Sequence, residues 1–156
     1  MVYKRVILKR GKEESLKRFH PWVFSGAIAR MDNIEEGDLV TVYDHEGNLI
    51  GNGHYQIGSI AVRILTFDDT EIDSAFFVKR LTEAYKMRQA LGLSRPDNNA
   101  FRLVHGEGDF LPGLVVDIYG STAVMQAHSP GMHFARNLIA DALTRLPNGV
   151  VKNVYY

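Results

Sequence analysis

The chain contains no cysteine, which excludes disulfides, thiolate metal sites and a cysteine nucleophile from these residues. No apolar run approaches the roughly 20 residues that a membrane-spanning helix needs, so no membrane partner is expected. The N-terminus, MVYKRVILKRGK, is basic but lacks the apolar core of a secretory signal; a cytoplasmic address follows. Net charge is absent too, because 18 basic and 18 acidic side chains cancel. What remains is 46% hydrophobic and 23% charged, the composition of a folded globular chain rather than a disordered one.

The charges that cancel in total are not evenly spread. Residues 1–30 carry eight bases and two acids, residues 31–73 one base and ten acids, and residues 74–156 nine bases and six acids. It is a local face, not the total, that steers a polyanion. A basic N-terminal face is therefore expected, with the acidic middle segment pointing elsewhere.

The stretch from Lys9 to Gly26, KRGKEESLKRFHPWVFSG, concentrates Lys9, Arg10, Lys12, Lys17 and Arg18 beside the only Trp. Lys and Arg neutralise phosphates, and exposed rings stack on unpaired bases. Residues 13–18 predict one or two helical turns, acids first and bases last, which suits the helix dipole. His20 before Pro21 stops that helix. From Trp22 to Ile28 the alternation predicts a strand with a ring-bearing face. Trp22 and Phe24 face either a core or a ligand, and the charges either bind or merely solvate the surface.

Short strands are expected at Val2–Leu8, Trp22–Ile28, Leu39–Tyr43, Leu49–Tyr55 and Ile60–Thr66, with turn residues between them. Such spacing points to a small closed or half-open barrel. Gly51 and Gly53 inside a strand mark a bulge or corner. After the acidic run Phe67–Asp73 the period changes. Phe77, Leu81, Ala84, Tyr85 and Leu91 predict a helix capped by Asp73 or Ser74. Strands follow at Phe101–His105, Leu114–Tyr119 and Thr122–His128, then one helix from Pro130 with the stripe Phe134, Leu138, Ala142 and Leu146, then a final strand from Val150. That strand, ending on Val-Tyr-Tyr with nothing after it, suggests a longer parent chain.

Little else suggests chemistry. His105, Glu107 and Asp109 alternate, but their glycines favour a turn over a metal face. Gly51-x-Gly53 and Gly106-x-Gly108 do not continue into a nucleotide-binding loop. The six His are scattered, with no nucleophile indicated. No catalytic residue and no metal is assigned, and the residues alone point to a binding module.

Two motifs carry a resemblance. LKRGKEESLKRFHPWVFSGAI resembles the opening of the PUA-domain, S-adenosylmethionine-dependent methyltransferases that act on cytosine C5 of large-subunit ribosomal RNA. FRLVHGEGDFLPGLVVDIYG looks like that family's segment ahead of its catalytic domain, through Arg102, Leu103, Glu107, Asp109, Leu111, Pro112, Gly113, Leu114, Asp117 and Gly120. The resemblance implies an α+β chain: a PUA-like β-barrel in residues 1–70, then a partial α+β domain in residues 71–156 (helix, antiparallel strands, helix). The methyl-donor site and catalytic thiol would lie in a domain beyond these residues, so S-adenosylmethionine belongs to the full-length parent and this portion alone is expected to be inactive. Ribosomal RNA is the implied partner, and Lys9, Arg10, Lys12, Lys17, Arg18, His20 and Trp22 the implied contacts. Arg102 and Asp117 read as an internal brace. Phe110 stands where a small residue, often Gly, is expected. The competing reading is a stand-alone, non-catalytic RNA-binding or ribosome-associated protein.

Overall fold

The computed structural model describes residues 2–156. Contacts divide it into two units: the first runs to Ile72 and takes in Ser129–Gly131, and the second holds Asp73–His128 and Met132–Tyr156.

Six strands make the first unit: β1 (Lys4–Leu8), β2 (Trp22–Phe24), β3 (Ile28–Met31), β4 (Leu39–Tyr43), β5 (Leu49–Tyr55) and β6 (Ile60–Thr66). They are ordered β2-β6-β5-β4-β1-β3, antiparallel except where β1 runs parallel to β4. The two edge strands, β2 and β3, follow each other in the chain through a 3₁₀ turn at Ser25–Ala27. The sheet therefore curls until both edges meet that turn, giving a half-barrel. Its inner face is apolar, with Val6, Leu8, Val23, Val40, Val42, Val62 and Ile64 buried along with Leu16 from the short helix α1 (Glu14–Lys17). Removing such side chains from water is the main stabilising contribution to a small barrel.

The glycines of β5 allow the curl. A Cβ on Gly51 would stand 2.2 Å from the Thr66 carbonyl oxygen, and one on Gly53 2.2 Å from that of Arg63. A bulge against β6 falls between Asn52 and Gly53, the corner that the sequence marked. Thr41 and Asn52 are buried polar residues on this sheet, and they satisfy each other: Thr41 Oγ1 donates to Asn52 Oδ1 at 2.6 Å, and Asn52 Nδ2 to the Thr70 carbonyl at 2.9 Å.

Three local expectations are corrected here. The strand expected over Trp22–Ile28 breaks into β2, the 3₁₀ turn and β3. The break is held by Ser25 N–H on the Ser59 carbonyl and Lys9 N–H on the Ala27 carbonyl, both at 2.8 Å. β3 was not anticipated, and β1 begins at Lys4 rather than Val2.

The second unit begins with α2 (Ser74–Ala90), capped by Asp73, whose Oδ1 accepts from Phe76 N–H at 2.9 Å. Its buried stripe is Phe77, Leu81, Ala84 and Tyr85; Leu91 lies past the helix end and is exposed. Strands β7 (Ala100–His105), β8 (Leu114–Tyr119) and β9 (Thr122–Ala127) form an antiparallel meander. The last strand, β10 (Asn153–Tyr155), pairs parallel with β9 at the edge. The single helix expected from Pro130 is instead α3 (Pro130–Phe134) and α4 (Arg136–Thr144), parted at Ala135, where ψ is 2°. That break turns the helix face. Ile139, Ala142 and Leu143 are buried, while Phe134 and Leu138 of the expected stripe are exposed. Among the described residues no helix is long and apolar enough to cross a membrane.

Candidate nucleic-acid interface

The basic residues singled out in the sequence fall on one short excursion from the barrel. The chain leaves β1 at Leu8, turns at Gly11 (φ 79°), forms the single turn of α1 and re-enters the sheet at Trp22. Leu16 anchors this excursion in the core, 2% exposed. Lys9, Arg10, Lys12, Lys17 and Arg18 are all exposed. None of the five has an ion-pair partner among the described residues.

Their neighbours behave differently. Lys4 Nζ donates to Asp38 Oδ2 at 2.9 Å, and Arg5 contacts Asp32, whose Oδ2 also accepts from the Arg5 backbone N–H at 2.8 Å. The hydrogen bond from Lys4 holds the Asp38 carboxyl below its ordinary range, helped by the Glu35 N–H, and the Arg5 N–H does the same for Asp32. The acidic segment therefore does not simply point away, as expected: Asp32 and Asp38 take Lys4 and Arg5, and no salt bridge among the described residues takes the five cations from Lys9 to Arg18.

After those five in the chain comes a row of rings. Alternation along β2 buries Val23, 1% exposed, and turns Trp22 and Phe24 to the other face. Trp22 is half-buried and Phe24 is 51% exposed, so Phe24 stands outside the core and Trp22 is only partly covered. His20 packs edge-on to Trp22 with ring centres 5.6 Å apart, and Trp22 edge-on to Phe24 at 6.3 Å. His20 Nδ1 accepts the Trp22 backbone N–H at 3.2 Å, which fixes the start of the row. The seven residues named from the sequence are thus brought into one continuous segment.

Sequence reasoning missed Phe19. It ends α1 in the left-handed conformation, φ 65°, with its ring 70% exposed and packed edge-on to Phe67 at 5.3 Å. The available signal was its position, the residue after a helix that His-Pro must terminate, where Gly is usual. Near it, Asp44 organises the β4–β5 hairpin: Oδ1 accepts the N–H groups of Glu46 and Asn48, and Oδ2 accepts Asn48 Nδ2. Burial pushes the Asp44 carboxyl up, but these hydrogen bonds and the Lys17 charge outweigh it and hold the group below its ordinary value.

In the second unit the motif residues serve the turn after β7. His105, Glu107 and Asp109 do not share a face: residues 106–109 form a 3₁₀ turn, and the Asp109 carboxylate is taken by Arg88. Arg102 Nε donates to Asp117 Oδ1 at 2.8 Å, the internal brace read from the sequence. Phe110 adopts φ 59°, ψ 30°, a left-handed position that explains why Gly suits it. Arg80 secures it, donating Nη1 to the Phe110 carbonyl at 2.6 Å with its guanidinium 5.7 Å from the Phe110 ring centre and 4.8 Å from that of Phe76.

Comparison with known proteins bears on this arrangement. The pattern of the PUA-like domain family matches residues 6–67, which are the half-barrel. Over 145 residues the chain is 41% identical to the ribosomal RNA large subunit methyltransferase I of Escherichia coli, covering 91% of this chain and 36% of that protein. The protein of the same name from Klebsiella pneumoniae is 40% identical over 148 residues, covering 93% and 37%. The chain thus spans little more than a third of the curated relatives it matches. Among solved structures, a putative S-adenosylmethionine-dependent methyltransferase from Streptococcus mutans superposes with a TM-score of 0.81 at 16% identity, over 98% of this chain and 40% of that one.

Proposed function

We propose that this chain, which carries a PUA-like domain over residues 6–67 and is 41% identical to ribosomal RNA large subunit methyltransferase I of Escherichia coli over 145 residues, is the RNA-holding portion of such an enzyme, with residues 1–70 binding RNA through Lys9, Arg10, Lys12, Lys17, Arg18, His20 and Trp22. The observation that carries this reading is the contrast within one segment. Lys4 and Arg5 are matched by Asp38 and Asp32, whereas the five cations from Lys9 to Arg18 form no salt bridge among the described residues and lead in the chain directly into the His20, Trp22 and Phe24 row. Unpaired cations supply phosphate affinity, and adjoining rings supply a surface for bases. Residues 71–156 would present the RNA to a catalytic domain, in the cytoplasm, for methylation of cytosine C5.

S-adenosylmethionine would supply the methyl group in the longer protein, but the residues of this chain do not fit it. Gly51 and Gly53 are spent on the close approach of β5 to β6, and Gly106 and Gly108 lie in a 3₁₀ turn rather than at the mouth of a helix. No step of methyl transfer is assigned to these residues. Their part is to bind and orient the substrate.

The test is titration of a labelled single-stranded or hairpin ribosomal RNA segment at two salt concentrations. Binding should weaken as salt rises and be lost in Lys17→Glu/Arg18→Glu, while Lys4→Glu, which alters a cation already paired, should bind within a few-fold of the parent. Binding that survives the double reversal unchanged would remove this face from RNA contact.

A further inference from the structure

Phe19 combines three features that packing alone does not call for. Its backbone is left-handed at φ 65°, a conformation that strains a bulky residue and costs Gly nothing. Its ring is 70% exposed, so little burial offsets that strain. It also forms one wall of a cleft of about 380 Å³, whose other walls include Leu16, Lys17, Asp44, Asn48 and Phe67. That volume lies in the range of small-ligand sites.

The walls of this cleft differ in chemistry. Phe19 and Phe67, edge to face at 5.3 Å, make an aromatic side. Lys17, exposed at the rim, forms no salt bridge among the described residues, although its charge reaches the Asp44 carboxylate. Opposite lies the hairpin that Asp44 organises. An ionised Asp44 only accepts hydrogen bonds, so the Asn48 amide must turn its nitrogen toward Oδ2, as it does at 3.0 Å. With its nitrogen committed to Asp44, the acceptor that the Asn48 side chain can offer a ligand at this cleft is its amide oxygen. An aromatic platform, a cation for a phosphate and a fixed amide acceptor are the parts needed to take in one base.

We propose that this cleft binds one unpaired nucleobase of the RNA, stacked on Phe19, with a flanking phosphate at Lys17 and an exocyclic amino group donating to Asn48. The inference rests on the RNA-binding reading above and adds a specific base site to it. Adenine and cytosine satisfy the acceptor at Asn48; uracil, which carries a carbonyl there, leaves it unmatched.

The experiment uses the 156-residue chain with two probes: oligouridylate carrying one central 2-aminopurine, whose fluorescence reports stacking alone, and end-labelled oligoadenylate, whose binding is measured in competition with oligouridylate. Stacking on Phe19 should change the 2-aminopurine emission on binding. Phe19→Gly, which suits the left-handed backbone and so keeps the fold, should abolish that change and weaken binding about ten-fold. Phe19→Tyr should keep both, and Asn48→Ala should remove the preference for adenylate over uridylate. If the parent binds with salt dependence but Phe19→Gly matches it in affinity and emission, the base site is wrong while the RNA reading stands. If the parent binds neither oligonucleotide nor ribosomal RNA, both fall.

Discussion

Arg88 holds Asp109 through two parallel hydrogen bonds, Nη1 to Oδ1 at 2.7 Å and Nη2 to Oδ2 at 2.8 Å. Both side chains are nearly out of water, 12% and 3% exposed. Asp109 Oδ2 also accepts the His105 N–H at 2.7 Å, and Arg88 Nε donates to the Arg102 carbonyl at 3.1 Å. One ion pair therefore ties α2 to both ends of the turn that follows β7. Removing one partner strands a buried charge, which costs roughly 3–5 kcal/mol, whereas replacing both with apolar residues costs far less. In urea unfolding, Arg88→Met and Asp109→Leu should each lower the midpoint sharply, and the double variant should recover most of the loss. Additive losses in the double variant would contradict this.

The β5 corner makes a second, steric prediction. Gly53→Ala places a Cβ against the Arg63 carbonyl and should destabilise by about 2 kcal/mol or more, since backbone on both sides must shift. Gly108→Ala meets nothing within 4 Å and should change stability by no more than about 0.5 kcal/mol. Thermal unfolding of the two variants side by side checks the contrast.

What was legible in the sequence follows from how local each signal is. The α2 cap at Asp73, the β5 corner at its glycines and the meander of β7, β8 and β9 each rest on neighbours within a few residues, and all are found. The split of Trp22–Ile28 was hidden because it depends on partners far along the chain, Ser59 above all. The same holds for the site. Lys9, Arg10, Lys12, Lys17, Arg18, His20 and Trp22 are close in sequence and could be grouped by eye. That Asp32 and Asp38 take Lys4 and Arg5 rather than those cations, that Arg88 takes Asp109 and that Phe19 stands left-handed over the hairpin are tertiary facts, and no periodicity announces them.

His54 should make stability depend on pH. It lies in β5 at 5% exposure, its Nδ1 has no hydrogen-bond partner among the described residues, and burial lowers its pKa from 6.5 to about 4. Between those values the unfolded chain binds a proton that the folded chain refuses, so stability rises with pH across the window and is fully present above pH 6.5. Acidification from 6.5 to about 4 should cost up to roughly 3 kcal/mol from this group. Losses from Asp32, Asp38 and Asp44, whose carboxyls are held below 3.8, come at lower pH. Urea unfolding at several pH values should therefore show a slope in this window that His54→Leu flattens. An unchanged slope would assign the effect elsewhere.

The five cations from Lys9 to Arg18 set the salt dependence of RNA binding. Each phosphate neutralised on a single strand contributes about −0.7 to the slope of log K against log salt. If Lys9, Arg10, Lys12, Lys17 and Arg18 all contact phosphates, the slope should be about −3.5. Lys17→Ala/Arg18→Ala should bring it to about −2.1, and Lys4→Ala should leave it near its parent value because Asp38 already holds that charge. Phe19→Gly discriminates further: it removes stacking and no charge, so affinity should fall while the slope stays put. A slope that changes with Phe19 but not with Lys17 and Arg18 would mean that the cations serve only to solvate the surface.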